Sequence, residues 1–140
     1  EPAVDAIDPD LGSELEAVDG GARVLVVEDE AEVRAGMKAL LEVMGFSVQL
    51  ADSTEQALAL ARIRPPQILL ADLRLRGDDS GFRAIRALRR LLPGLPALII
   101  SGDTAPSRLR EAQDAGLELL HKPVAADVLQ RAILRALEPG

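Results

Sequence analysis

The sequence predicts an α/β domain in which a doubly wound parallel sheet carries helices on both faces. Three observations lead there. Five strand-like runs alternate with five helix-like segments across short loops, which is the pattern of βαβ units. The first run, Arg23-Val24-Leu25-Val26-Val27, is apolar almost throughout, as a strand buried on both faces requires. Three of the runs also stop abruptly at polar groups: residues 23–27 at Glu28-Asp29, residues 67–71 at Asp72, and residues 97–100 at Ser101-Gly102. Right-handed crossovers put all strand carboxyl ends along one edge of such a sheet, where open α/β folds bind ligands. Periodicity alone leaves the order of strands along that edge open.

Taken in order, the first strand is residues 23–27. Asp29 and Glu30 then open a helix over residues 31–44, where acids suit the positive end of the macrodipole. Val33, Met37, Leu40, Leu41 and Met44 give it one apolar stripe, and Gly45 stops it. Residues 46–50 (Phe-Ser-Val-Gln-Leu) alternate and form the second strand. Ser53 followed by Gln56 has capping-box spacing for a short helix ending near Arg62. Pro65-Pro66 breaks the chain before the third strand at residues 67–71.

The loop after Asp72, residues 74–80, holds Gly77 and the adjacent acids Asp78 and Asp79. A helix over residues 81–91 turns Phe82, Ile85 and Leu88 inward and Arg83, Arg86, Arg89 and Arg90 outward. The turn Pro93-Gly94-Leu95-Pro96 leads to the fourth strand, residues 97–100. Thr104 as cap and Pro106 as an early helical residue start a short polar helix reaching about Ala115, and Gly116 ends it. Residues 117–120 are the fifth strand and residues 125–137 the last helix.

Composition sets the limits. A chain of 140 residues is one domain with room for a substantial core. Phe46 and Phe82 are its only aromatics, so the core is aliphatic and no platform exists for stacking bases or sugars. Without cysteine there are no disulfides and no thiolate metal sites, which suits a reducing, cytoplasmic setting. No apolar run approaches the roughly 20 residues of a membrane span, and no signal-peptide pattern opens the chain. The net charge of −7 is local: residues 1–19 hold seven acids and no base, while the other 16 acids match 16 bases. Residues 1–21 therefore read as an acidic, flexible lead-in or linker and residues 22–140 as the folded domain. A neutral body argues against a DNA-binding face.

If the first and third strands are neighbours, Glu28, Asp29 and Asp72 converge. Packed carboxylates raise one another's pKa unless a cation joins them. Oxygen-only ligands favour a hard divalent ion such as magnesium, which keeps several waters beside one or two carboxylates. Ser101 and Lys122 follow the fourth and fifth strands and reach the same edge. Acids, a metal, a lysine and a hydroxyl suit phosphoryl chemistry with an aspartate nucleophile. His121, the only histidine, lacks metal-ligand company and reads as a strand-end residue.

Four motifs, Val-Leu-Val-Val-Glu28-Asp29-Glu, Leu-Leu-Ala-Asp72-Leu-Arg-Leu, Leu-Ile-Ile-Ser101-Gly102 and Leu-His-Lys122-Pro123, occur in an order and at a spacing that make a family resemblance. From about Arg23 to Leu137 the chain resembles a response-regulator receiver domain of two-component signalling. The resemblance implies the flavodoxin-like strand order 2-1-3-4-5 and transfer of a phosphoryl group to Asp72 from a histidine kinase or phosphotransfer protein carrying phosphohistidine. It implies that Asp29 and Asp72 bind Mg2+ directly, that Glu28 does so through water, and that the Arg74 backbone carbonyl is a further ligand. Lys122 would contact the aspartyl phosphate, Ser101 would swing in to hydrogen-bond it, and the Lys122-Pro123 peptide would be cis. Such a domain is not an enzyme in isolation, though it catalyses its own phosphorylation and dephosphorylation. It would touch neither nucleic acid nor membrane.

The chain departs from the family pattern in two places. Receivers usually carry a methionine-proline pair soon after the phosphorylated aspartate, whereas residues 75–81 lack the proline and run one residue longer before the glycine. That variant is similar to receivers fused to sensor histidine kinases, so the expected parent is a hybrid kinase, with the lead-in as linker from its core, or else a stand-alone relay protein; in neither is an output domain expected after the last helix. Leu119 stands three residues before Lys122, where the family has Tyr or Phe, which weakens the usual output route through the fourth helix and fifth strand. Arg74 and Asp103, each two residues past a site residue, are expected to pair over the site and slow hydrolytic water. Two rivals are a degenerate receiver acting as a docking scaffold and an aspartyl-nucleophile phosphatase of the haloacid-dehalogenase type. The second needs an acid two residues after its nucleophile, and this chain has Arg74 there.

Overall fold

A computed structural model of the chain describes residues 21–102 and 105–138. Its elements alternate as β1 (Arg23–Val27), α1 (Ala31–Val43), β2 (Ser47–Ala51), α2 (Thr54–Ile63), β3 (Ile68–Asp72), α3 (Gly81–Leu91), β4 (Ala97–Ser101), α4 (Pro106–Asp114), β5 (Glu118–His121) and α5 (Ala126–Leu137). The five strands form one parallel sheet in the order β2-β1-β3-β4-β5, the flavodoxin-like arrangement. Among the described residues, no helix is long and apolar enough to cross a membrane.

The continuous apolar runs of β1, β3 and β4 divide between two cores because successive strand residues point to opposite faces. Leu25, Val27, Leu69, Ala71, Ala97 and Ile99 pack under Ala57 and Ala61 of α2, Phe82, Ile85 and Leu88 of α3, and Ala112 of α4. Val24, Val26, Ile68, Leu70, Leu98 and Ile100 pack under Leu41 of α1 and Leu129, Ala132 and Ile133 of α5. The edge strands β2 and β5 are less buried, as an edge position allows.

Three strand starts, those of β2, β3 and β5, fall one residue later than the sequence predicts, and β2 and β5 do so for one reason. At the end of α1 the N–H of Gly45, at φ 96°, donates to the Glu42 carbonyl and the N–H of Phe46 to that of Leu41. At the end of α4 the N–H of Gly116, at φ 72°, donates to Gln113 and that of Leu117 to Ala112. Both are Schellman closures, whose last residue is a buried apolar side chain. Phe46 and Leu117 therefore belong to the helix stops, and β2 and β5 begin after them. Ser53 caps α2 by accepting from the Gln56 N–H at 3.2 Å, while the Gln56 side chain accepts from Asp52 N–H rather than from Ser53. The predicted Thr104 cap lies outside the described residues; Pro106 is the first residue of α4, and its N-cap position is Ala105, whose side chain makes no cap bond.

The start of α3 is pressed against the strand that carries Asp72. Gly81 N–H donates to the Leu73 carbonyl at 3.0 Å. A Cβ at Gly81 would stand 2.7 Å from the Asp72 carbonyl oxygen and 2.8 Å from the Ile99 Cδ1. Replacing it forces helix and strand apart in a packed interior. Gly81→Ala should lose about 1–3 kcal/mol of stability, the usual range for overpacking, measured by urea denaturation; an unchanged midpoint would show that α3 is free to shift.

Candidate functional site

The sheet ladder runs one step past several strand ends and so fixes the residues at the carboxyl edge. Glu28 N–H donates to Ala51, Leu73 N–H to Ile100 and Lys122 N–H to Ser101, at 3.0, 2.8 and 2.8 Å. Because β1 lies between β2 and β3, the ends of β1 and β3 are adjacent. Glu28, Asp29 and Asp72 accordingly each bring a carboxylate oxygen within 4.8 Å of the others. Asp72 is the last residue of β3 and Ser101 the last of β4, each one residue beyond the apolar run that predicted its strand.

Lys122 directly follows β5, and its carbonyl forms the cis Lys122-Pro123 peptide. Its Nζ stands 3.0 Å from Asp72 Oδ1 and 3.3 Å from Glu28 Oε1. The other Glu28 oxygen accepts from the Glu30 N–H at 3.1 Å. Arg34 of α1 donates to the Glu28 main-chain carbonyl at 2.8 Å, and Arg76 of the loop comes within 3.7 Å of Asp29. A cleft of about 540 Å³ opens above this floor, lined by Asp29, Asp72, Arg74, Ser101, Gly102 and Lys122 among others.

The electrostatics follow from one lysine facing crowded carboxylates. Burial pushes the Glu28 carboxyl above its ordinary pKa and the nearby Asp72 adds to it, against the opposing pull of the Glu30 N–H and Lys122. Burial likewise raises Asp72, and its hydrogen bond from Lys122 offsets only part of that. On Lys122 burial works against the charge, but the hydrogen bond to Asp72 and the charges of Asp72 and Glu28 prevail, so its pKa lies above the usual value. The donor set is oxygen alone, which fits a hard divalent cation such as magnesium and not a thiolate- or imidazole-seeking metal.

The structure thus gathers Glu28, Asp29, Asp72, Ser101 and Lys122 at one edge. Arg74 is exposed at the rim and forms an isolated bridge with Ser80. Leu119 pairs with Ile99 in the sheet and packs beside the core under α2, α3 and α4. Asp103 lies outside the described residues, and its expected pairing with Arg74 with it. Sequence reasoning missed Arg34, Arg76 and, above all, Asp79. The Asp79 carboxylate accepts from the Thr54 hydroxyl at 2.6 Å, the Thr54 N–H at 2.9 Å, the Ser80 N–H at 3.0 Å and Arg83 at 3.0 Å. Burial would raise its pKa, but these donors outweigh burial and hold it below the ordinary value.

A family model described as the response regulator receiver domain matches residues 24–134. The chain belongs to that family. Among curated relatives, this receiver is 32% identical over 116 residues to the C4-dicarboxylate transport transcriptional regulatory protein DctD of Rhizobium meliloti (strain 1021), covering 82% of this chain and 25% of that one. It is 34% identical over 115 residues to the transcriptional regulatory protein ZraR of Escherichia coli O157:H7, covering 81% and 26%. It is 30% identical over 118 residues to the acid tolerance regulatory protein ActR of Sinorhizobium medicae (strain WSM419), covering 84% and 59%. The receiver therefore spans about a quarter of DctD and ZraR and somewhat over half of ActR. Among solved structures, the Vibrio cholerae chemotaxis protein CheY4 superposes with TM-score 0.76 at 26% identity, over 84% of this chain and 99% of that one. NtrX from Brucella abortus gives TM-score 0.77 at 29% identity, over 84% and 27%.

A carboxylate whose pKa is raised by folding holds a proton in the folded state at a pH where the unfolded chain has released it. Folding stability then falls as pH rises from about 4, the ordinary carboxylate value, through the raised one. Removing the charge should relieve this. In chelator, Asp72→Asn is expected to be more stable than the parent toward urea at pH 7, with the gap closing toward pH 4. A gap that widens on acidification contradicts the site electrostatics.

Proposed function

We propose that this receiver takes a phosphoryl group from a phosphohistidine-bearing kinase or phosphotransfer protein onto Asp72 and switches conformation in response. The observation that carries the proposal is the Asp72 carboxylate itself, held at the end of β3 within 3.0 Å of Lys122 and facing an open cleft. An Asp72 oxygen attacks the phosphorus, the new P–O bond forms as the P–N bond breaks, and the imidazole leaves with a proton. Lys122, already charged, exchanges its carboxylate partner for a phosphoryl oxygen. Ser101, at the end of the neighbouring strand, supplies a hydroxyl to the acyl phosphate.

Asp29 and Asp72 directly, Glu28 through water and the Arg74 carbonyl would hold Mg2+. When bound, the ion neutralises charge on the phosphoryl oxygens. Residues 22–140 form the receiver unit of this reading, with residues 1–21 as an acidic lead-in. By itself it is a phosphoacceptor rather than an enzyme for a diffusible substrate, and it works in the cytoplasm. Arg74 in place of an acid argues against an aspartyl phosphatase, and the complete acid, lysine and hydroxyl set argues against a passive scaffold.

The parent protein has two readings. The proline-free loop and the acidic lead-in support a hybrid histidine kinase. The names of DctD, ZraR and ActR, all regulatory proteins and two of them transcriptional, support a receiver that controls an attached effector. In either parent the chemistry at Asp72 is the same.

With acetyl phosphate and Mg2+, mass spectrometry should find one alkali-labile phosphoryl adduct on the parent and none on Asp72→Asn. Lys122→Ala should cut the phosphorylation rate by about 10²–10³, the range for loss of one preorganised charge stabiliser. An adduct that survives in Asp72→Asn, or no adduct on the parent, overturns the assignment.

A further inference from the structure

One carboxylate joins three elements beside the cleft. Asp79 is a loop residue, Thr54 is the first residue of α2, and Arg83 lies in the first turn of α3. Asp79 accepts both the hydroxyl and the N–H of Thr54, and Arg83 continues the network to Glu55 of α2 at 3.1 Å. The side chains of Asp79 and Thr54 are nearly covered, with the Asp79 side chain 10% exposed and Thr54 2%. A carboxylate with this many donors has one low-energy position.

The same loop is tied to Asp72 at its other end. After Asp72 the chain passes through Leu73, whose N–H is bound to Ile100 and whose carbonyl accepts from Gly81. Arg74 and Ser80 pair across the loop, so residues 74–80 form a closed lobe. Its first residues, Arg74 and Leu75, line the cleft; Arg76 reaches toward Asp29; Asp79 pins the returning limb to α2. The lobe is thus fixed at its base by the sheet and on its return by one side chain.

We propose that Asp79 is a positioning residue that latches this lobe to α2, and that occupancy of the cleft at Asp72 and the state of the latch are coupled. The proposal rests on the phosphoacceptor reading and adds a route by which the site is reported. A phosphoryl group settling against Arg74 and Leu75 displaces a lobe whose far limb is held by the Thr54 bonds. Latch and ligand then bias one another by the same factor, because linkage is reciprocal. The route ends on α2 and α3 and does not pass through Leu119.

The test uses the full chain with beryllofluoride and Mg2+, read by nuclear magnetic resonance. The Thr54 amide, a direct donor to Asp79, should shift on titration of the parent. Asp79→Asn should change beryllofluoride affinity by about fivefold or more, the lower end of ordinary coupling, with Thr54→Val in the same direction and Thr54→Ser back within about twofold of the parent. If Asp79→Asn does not fold, the valine and serine pair at Thr54 carries the comparison, since valine removes only the hydroxyl. Binding by the parent with an unmoved Thr54 amide and unchanged affinity in the variants overturns the latch alone. No adduct on the parent at all overturns the phosphoacceptor reading, and the coupling falls with it.

Discussion

Three carboxylates whose oxygens lie within 4.8 Å of one another, with one lysine among them, are the constraint around which this domain is arranged. Left to themselves, like charges at that spacing would repel, and burial makes their ionisation costlier still. The chain tolerates the arrangement because the sheet imposes it. Parallel strands β1 and β3 are neighbours in register, with apolar residues through Val27 in β1 and up to Ala71, the residue before Asp72, in β3. Moving either carboxylate away would pull Val27 or Ala71, both fully buried, out of the core. The aliphatic layers on the two faces thus hold charge where charge is unfavourable. That stored repulsion gives the site an affinity for whatever positive group can enter, and Lys122 supplies only part of it.

The same geometry explains why the cleft is mechanically connected to its surroundings. Asp72, Leu73 and Gly81 are packed with no room for a methyl group between the Asp72 carbonyl and α3. Lys122 is tied by its backbone to Ser101, so the two groups flanking Asp72 on the β4–β5 side share one hydrogen-bonded unit. On that side the residue that would relay a change is Leu119, an aliphatic side chain packed beside the α2–α4 core. It has neither a ring nor a hydroxyl with which to register two distinct states. The other side of the cleft is different, since the Asp79 network makes directional hydrogen bonds that are either formed or broken. Directional bonds to a nearly covered carboxylate discriminate positions more sharply than dispersion contacts do.

Much of this was legible before any coordinates. The apolar runs placed the five strands to within a residue, since burial on both faces leaves little choice of residue type. The acids at Glu28, Asp29 and Asp72 were legible because parallel strands must end at a common edge, and Ser101 and Lys122 because their motifs are spaced to reach it. The strand order was not in the periodicity; it came from the motif resemblance, and the sheet has it. The starts of β2 and β5 fall one residue later than expected because Phe46 and Leu117 look like strand residues, while their backbone N–H groups close the preceding helices; β3 likewise begins at Ile68 rather than Gln67. Asp79 was invisible for a different reason. In sequence it is one of two adjacent acids in a polar loop, and its partner Thr54 lies 25 positions away.

The loop that departs from the resembled pattern is also the one that Asp79 fastens to α2. Without its proline and with one more residue before the glycine, the segment between Asp72 and Gly81 has enough chain to pair Arg74 with Ser80 and still send a carboxylate back to α2. A shorter, proline-stiffened loop would have less backbone freedom to do both. The extra length carries an entropic cost that the four bonds to Asp79 offset, because they order the segment in one position. The same segment that departs from the pattern is the one on which the proposed latch is built. On the proposed reading, chemistry at Asp72 would rest on the sheet edge, whose motifs resemble the family's, whereas the response would rest on the lobe that Asp79 holds to α2.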